Sequence, residues 1–311
     1  MTNTKPHPPK RKNANVAPDI IFEHARVDPT HCLANGLFRP IQRGMRAETP
    51  LDISHPYKTY TFRWQHETER LCIKDQSVFL AALYLASVPG SAIAVGADHP
   101  DEKMQEARNA LGLMLGAANS ACLIIATTAR ELTNTLGLAI NGTALTRIKD
   151  SLQRLAGVSF SITPEGTDNP VWESKLLSVV DIDGKNLLIG ISPTLSKALN
   201  DKQSPVTYID MKEQRALPTD AAKRLHIWLS AWLRPTEGKT IRLDLLVKHV
   251  WGDTGTGDTL YSRRDTIKKA LSDLDDKTVW QCKYDKASES VYIKRTKLGQ
   301  QAVEKHSKPA C

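Results

Sequence analysis

Apolar residues recur along the chain in two periods, and the order of those periods predicts an architecture. Strand-like alternation marks Tyr60, Phe62 and Trp64. Helical spacing then predicts helices over residues 75–88 and 101–116. Residues 121–126 (ACLIIA) read as a short apolar strand. Thr127 and Thr128 can cap the next helix, ARELTNTLG, which Gly137 closes. After a turn at Asn141-Gly142, the segment TALTRIKDSLQRLAG puts Ile148, Leu152 and Leu155 at i, i+4 and i+7, one face of a helix. VSFSIT, a polar turn (PEGTDNP) and VWESKLLSVV are expected to form a hairpin, with LLIGI as a third strand. Helix, turn, helix, hairpin is the order of a winged helix.

The second half repeats that order. Residues 218–233 predict a long amphipathic helix, with Pro218 at its start and Pro235 beyond its end. KTIR is a short strand, LDLLVKHVWG a helix ended by Gly252, and DTGTGD a linker. TLYSRRDTIKKALSDLDD then repeats the stripe with Ile267, Leu271 and Leu274, and TVWQCKY, DKASES and VYIKR make the closing hairpin. IKDSLQRL and IKKALSDL keep Ile, Lys, Leu and Leu in step, from Ile148 to Ile267. The fold expected is α+β, two tandem winged-helix domains related by a pseudo-repeat. The divisions are a disordered basic arm (1–22), a first domain (23–192), a second (193–297) and a tail (298–311).

Charge sharpens this picture. The 311 residues carry a formal charge of +8, which favours an anionic partner such as nucleic acid. In a helix-turn-helix the second helix enters the major groove, so its outward side chains are the candidates for base and phosphate contacts. In the first unit these are Thr143, Thr146, Arg147, Lys149, Asp150 and Gln153. Arg and Lys can pair with guanine, and Gln with adenine. In the second unit Tyr261, Ser262, Arg263, Arg264, Asp265, Lys268 and Lys269 fill the amino-terminal half, four cations against one acid. Asp273, Asp275 and Asp276 lie at the far end, the reverse of what the helix dipole favours, as a phosphate backbone at the near end would explain. Lys283, Lys286, Lys294 and Arg295 on the hairpin suit a wing lying on phosphates.

Enzymatic chemistry finds little support. Glu237-Gly238-Lys239-Thr240 ends like a phosphate-binding loop, but Leu233 stands where the first glycine belongs. No His-x-His pair accompanies a candidate nicking tyrosine, and no cofactor motif is present. His24, His31 and Cys32 are close in sequence, though a structural role is expected. Asp181-Ile182-Asp183 before Gly184 reads as a hairpin turn, and Trp228 and Trp232 as core or domain-interface residues. Five scattered cysteines fit a reducing compartment, and no signal peptide or bilayer-length apolar run is seen, so a soluble cytoplasmic protein is expected.

HARVDPTHCLANGLFRPIQRG (residues 24–44) resembles the opening of the RepC initiators of IncQ-type plasmids. The resemblance continues through GTALTRIKDSLQRLAGVSF, AAKRLHIWLSAWL and VWGDTGTGDTLYSRRDTIKKALSDL, covering about residues 23–296. It implies a non-enzymatic protein that binds direct repeats (iterons) in double-stranded origin DNA, opens the adjacent duplex, and admits a separate helicase and primase. A homodimer is a possible resting state. By the resemblance, Arg147, Lys149, Asp150, Gln153 and Arg154 fall on the first recognition helix, and Arg263, Arg264 and Lys268 on basic positions of the second. Tyr261, Ser262 and Thr266 depart from the more basic helix expected by analogy, so a different repeat is expected. The arm up to Pro18 has no counterpart in the family. The His31–Arg39 block is off both recognition helices, and a packing role is the expectation for it. Rival readings are a transcriptional repressor, a protein-binding scaffold and a nicking enzyme.

Overall fold

The computed structural model describes residues 23–41, 50–201 and 203–296. The arm and the tail expected from the sequence lie outside the described residues. The described residues open with β1 (His24–Val27), α1 (Pro29–Leu33) and β2 (Phe38–Arg39). Asp28 starts α1 by accepting from the Thr30 N–H, and Pro29 fills the first turn, where no donor is needed. A hairpin, β3 (Leu51–Tyr57) and β4 (Tyr60–His66), precedes β5 (Leu71–Cys72) and α2 (Ile73–Ser87). Asp75 sits in the first turn of α2, and its carboxylate accepts from the Cys72 N–H at 2.8 Å.

Next come β6 (Ala92–Val95), α3 (Glu102–Asn109) and β7 (Met114–Leu115). The helix expected to reach residue 116 stops at Asn109, because Gly112 turns left-handed (φ 58°) and Met114–Leu115 pairs as a strand. β8 (Cys122–Thr128), α4 (Ala129–Thr135) and α5 (Gly142–Ala156) follow, with Thr128 and Asn141 capping the two helices. Then come β9 (Ser159–Pro164), β10 (Trp172–Lys175), β11 (Leu177–Asp181) and β12 (Asn186–Ile191). α6 (Pro193–Asn200), β13 (Thr207–Asp210) and α7 (Met211–Ala216) lead to the last run. That run is α8 (Asp220–Trp232), β14 (Gly238–Arg242), α9 (Leu243–Trp251), α10 (Gly257–Lys277), β15 (Trp280–Asp285) and β16 (Ser290–Arg295).

One expected hairpin forms only in part. β9 pairs with β10 in a five-stranded sheet of order β3-β4-β9-β10-β7. The VWESKLLSVV segment then breaks, and β11 joins a different sheet, β11-β12-β8-β6. Leu176 and Leu177 are both fully buried, so strict alternation fails there, and Leu176 is the hand-over: its N–H donates to Val158 O, next to β9, while its carbonyl accepts from the Ser192 N–H, next to β12. The hairpin that closes the helix pair is therefore β11–β12. Its turn is the Asp181-to-Gly184 segment read as a turn from sequence, with Asp181 accepting from the Gly184 N–H at 2.6 Å.

Two large cores result. The first gathers β1, β4, α2, α5 and β12, and the second α8, α9, α10 and the β14-β16-β15 sheet. Residues 193–216, expected in the second half, belong to the first core: Leu195, Leu199, Ile209 and Met211 are buried there, and β13 pairs antiparallel with β1.

The His31–Arg39 block forms the seam between the cores. His31 lies between Trp64, Phe79 and Phe160, with ring centroids 5.2–6.3 Å away. The fully buried Arg224 of α8 donates to Cys32 O at 2.9 Å and Ala34 O at 2.7 Å. Asn35 Oδ1 lies 2.7 Å from His249 Nδ1, whose ring stacks on Trp228 at 3.9 Å. Trp228 in turn stacks on Trp232, 4.9 Å between centroids. Among the described residues no three His, Cys, Asp or Glu side chains are placed to share a metal ion, and no helix is long and apolar enough to cross a membrane.

Candidate nucleic-acid interface

α10 is a 21-residue helix held to its domain by Ile267, Ala270, Leu271 and Leu274. It starts at Gly257, inside the segment expected to be a linker. Tyr261 is 70% exposed, and Ser262, Asp265, Lys268 and Lys269 share the open surface. Arg263 and Arg264 are half-buried and already engaged. Arg263 Nη1 donates to Asp253 Oδ1 at 2.6 Å, with the guanidinium 5.3 Å above the Trp251 ring. Arg264 grips Asp244 with two parallel bonds of 2.6 and 2.8 Å and lies 3.3 Å from Glu289 at the turn of the last hairpin. This fork geometry holds the Asp244 carboxyl below, and the Arg264 guanidinium above, their ordinary values. Lys268 bonds to Asp265 at 3.1 Å, which raises its pKa.

The electrostatics differ from the sequence count. Four cations against Asp265 give +3 over residues 261–269; Asp244, Asp253 and Glu289 bring that local sum to zero. No pattern in the sequence pointed to those three acids. They come from α9, the loop after Gly252 and the hairpin turn, and only the fold puts them beside the helix.

On the last hairpin Lys283 and Lys286 are exposed, and Lys294 is half-buried. Arg295 does not reach a wing tip. It lies at the base of the hairpin, 5.3 Å over the Trp280 ring, where burial lowers its pKa against the opposing charges of Glu213 and Asp210.

In the first unit α5 exposes Thr143, Thr146, Arg147, Asp150 and Gln153 together. The Asn141 side chain caps the helix by accepting from the Ala144 N–H at 2.9 Å. Lys149 reaches sideways to the β11–β12 turn, 3.3 Å from Asp181 Oδ2 and 3.0 Å from Gly184 O. Arg154 points inward, correcting its placement on the recognition face. It donates to Asp75 Oδ1 at 2.9 and 3.1 Å and to Ser151, and Asp75 is wholly buried. Glu237-Gly238-Lys239-Thr240 runs into β14, paired with β16, and has no loop to cradle a phosphate.

The model of the family Replication protein C (RepC) matches residues 20–297. The chain belongs to the RepC family. No curated protein matches the sequence. Among solved structures, this RepC-family chain is similar to domains 2 and 3 of RctB, with a TM-score of 0.54, 10% identity, and 86% of this chain and 99% of that one covered. The Pi initiator protein in complex with iteron DNA aligns with a TM-score of 0.44 and 12% identity, over 71% of this chain and 89% of its own. The RctB likeness concerns the fold, which is mixed α/β.

Proposed function

We propose that this RepC-family chain is a non-enzymatic plasmid replication initiator that reads direct repeats in double-stranded origin DNA through two winged-helix units in tandem. One observation carries the reading. The series α2–β8–α4–α5–β11–β12 matches α8–β14–α9–α10–β15–β16 element for element, and in both the strand before the helix pair bonds to the second strand of the closing hairpin. The segment β6-α3-β7, between α2 and β8, and the hairpin β9–β10 are insertions in the first unit. In each unit the second helix of the pair, α5 or α10, keeps a polar face open to solvent.

With α5 and α10 in successive major grooves, one chain spans about 20 base pairs, since grooves on one face of the duplex recur every ~34 Å. Binding energy from several copies on tandem repeats would drive local opening and the entry of a helicase and a primase, with bending of the duplex costing on the order of a few kcal/mol per site. Unlike sequences on α5 and α10 favour a non-palindromic repeat over the palindrome a dimeric repressor reads.

The test is binding of the wild type and the Arg263→Ala/Arg264→Ala variant to a duplex with one origin repeat, against a scrambled duplex, at several salt concentrations. The expected result is one chain per repeat, with the variant weaker by roughly 2–6 kcal/mol and its salt slope flatter. Equal binding to repeat and scramble would overturn sequence-specific initiation and favour a scaffold.

A further inference from the structure

In the ion pairs on the open faces of α5 and α10, the acid is the outer member. Asp253 bonds to Arg263 at 2.6 Å, and its side chain is 60% exposed against 19% for the arginine. Glu289 lies 3.3 Å from Arg264, 48% exposed against 20%. The same order holds for Asp265 with Lys268, at 3.1 Å, and narrowly for Asp181 with Lys149, at 3.3 Å. Both hairpins take part. Asp181 ends β11 and Glu289 sits in the β15–β16 turn, so each turn sets a carboxylate against a cation of its own helix.

The backbone fixes the two outermost acids in place. Glu289 is left-handed, with φ of 48°, and its carbonyl accepts from the Leu243 N–H at 3.0 Å, at the start of α9. The Asp253 carbonyl accepts from the same Arg263 nitrogen as its side chain, at 3.1 Å. Asp244 has a different task. It grips Arg264 with both oxygens from the first turn of α9 and ties that side chain to its domain.

DNA approaching α10 therefore meets carboxylates before it meets guanidinium groups. A phosphate offers acceptors only, so a phosphate contact with Arg263 or Arg264 leaves a carboxylate facing an anion. A G·C pair is different. Its major-groove edge presents two acceptors on guanine and an amino donor on cytosine, so it can engage both members of an arginine–carboxylate pair at once.

We propose, resting on the reading of DNA by α5 and α10, that Asp253 and Glu289 are specificity-determining residues: they penalise binding through phosphates alone and so widen the preference for the repeat over other duplex DNA.

The experiment compares wild type with Asp253→Asn and Glu289→Gln, which keep side-chain size and remove one charge each. The probes are the duplex with one origin repeat and its scramble, at several salt concentrations. Each variant should bind the scramble about three- to tenfold more tightly, with a salt slope steeper by about 0.9 for the cation released to a phosphate. Affinity for the repeat should rise by less, or fall, so the preference narrows. A second arm replaces the G·C pairs of the repeat by A·T pairs one at a time. Wild type should lose about fivefold or more at the pair that Arg263 and Asp253 read, and Asp253→Asn should lose less at that pair alone. A uniform charge effect would leave this profile unchanged. Equal gains on repeat and scramble, no gain on the scramble, or an unchanged profile overturns the proposal and leaves the two-helix reading standing. A wild type that does not prefer the repeat overturns the underlying reading itself.

Discussion

Gly36 and Gly252, 216 positions apart in the sequence, touch through their backbones: a Cβ on Gly36 would stand 3.0 Å from Gly252 Cα, and one on Gly252 3.2 Å from Gly36 Cα. Both are left-handed, with φ of 75° and 90°, so an added side chain meets strain and a rigid neighbour together. Gly36→Ala and Gly252→Ala should each destabilise the protein by about 1–3 kcal/mol. Urea unfolding midpoints check this, and wild-type midpoints would show that the seam gives way freely.

Buried Arg224 spends its hydrogen bonds on two backbone carbonyls, and its pKa is pushed down to about 10 by burial, with Cys32 opposing. Arg224→Ala removes the donors for two buried carbonyls. The cost should be about 2–5 kcal/mol, since each carbonyl left unpaired loses on the order of 1–3 kcal/mol. Arg224→Lys, with one point charge for two divergent acceptors, should recover only part. Full recovery by lysine in a thermal melt would contradict the two-carbonyl account.

Arg147 and Arg154 lie two turns apart on α5 and should separate cleanly. Arg154→Ala takes the guanidinium from the buried Asp75 carboxylate and should cost about 3–5 kcal/mol of stability. Arg147→Ala, at an exposed position, should leave stability within about 0.5 kcal/mol and weaken DNA binding. Paired denaturation and binding curves decide; equal destabilisation by both would remove the distinction between them.

Burial, with the charges of Arg224, Lys248 and His55 added, pushes His249 down to about 4. A histidine depressed in the folded state stabilises fully above its unfolded value near 6.5, and that contribution drains away as pH falls toward 4. Because the ring is only partly buried, roughly 1–3 kcal/mol is at stake. Below about 4.5 Glu213 adds to the loss: burial raises its carboxyl, but the bond to His226 outweighs this and holds it below its ordinary value. Unfolding free energy of the wild type should therefore slope downward from pH 6.5 to 4, and His249→Gln should flatten that slope whatever its absolute stability.

The helices were legible where one face had to be dry. Ile148, Leu152 and Leu155, and Ile267, Leu271 and Leu274, are all buried as the i, i+4, i+7 spacing requires. The direction of single charged side chains was not. Arg154 looked like one more outward cation, because its partner Asp75 is 79 residues away and packs there only through α2. The same holds for Arg263 and Arg264, whose carboxylates sit on other elements. VWESKLLSVV was read as one strand since its apolar content is continuous; the adjacent buried pair Leu176 and Leu177 was the local sign that it changes sheets. The first half's boundary was misplaced because β13 pairs with β1 at the opposite end of the chain, a contact that no local pattern announces.

Backbone pressed on backbone has no spring in it. Side chains at an interface can slide or change rotamer by degrees, but two glycines in contact can only stay together or part. Parting them would also release both carbonyls from Arg224 and the Asn35–His249 bond, so the seam answers as a unit. The spacing of α5 and α10 thereby hangs on one contact that is either made or broken, like a pair of calipers held by its screw.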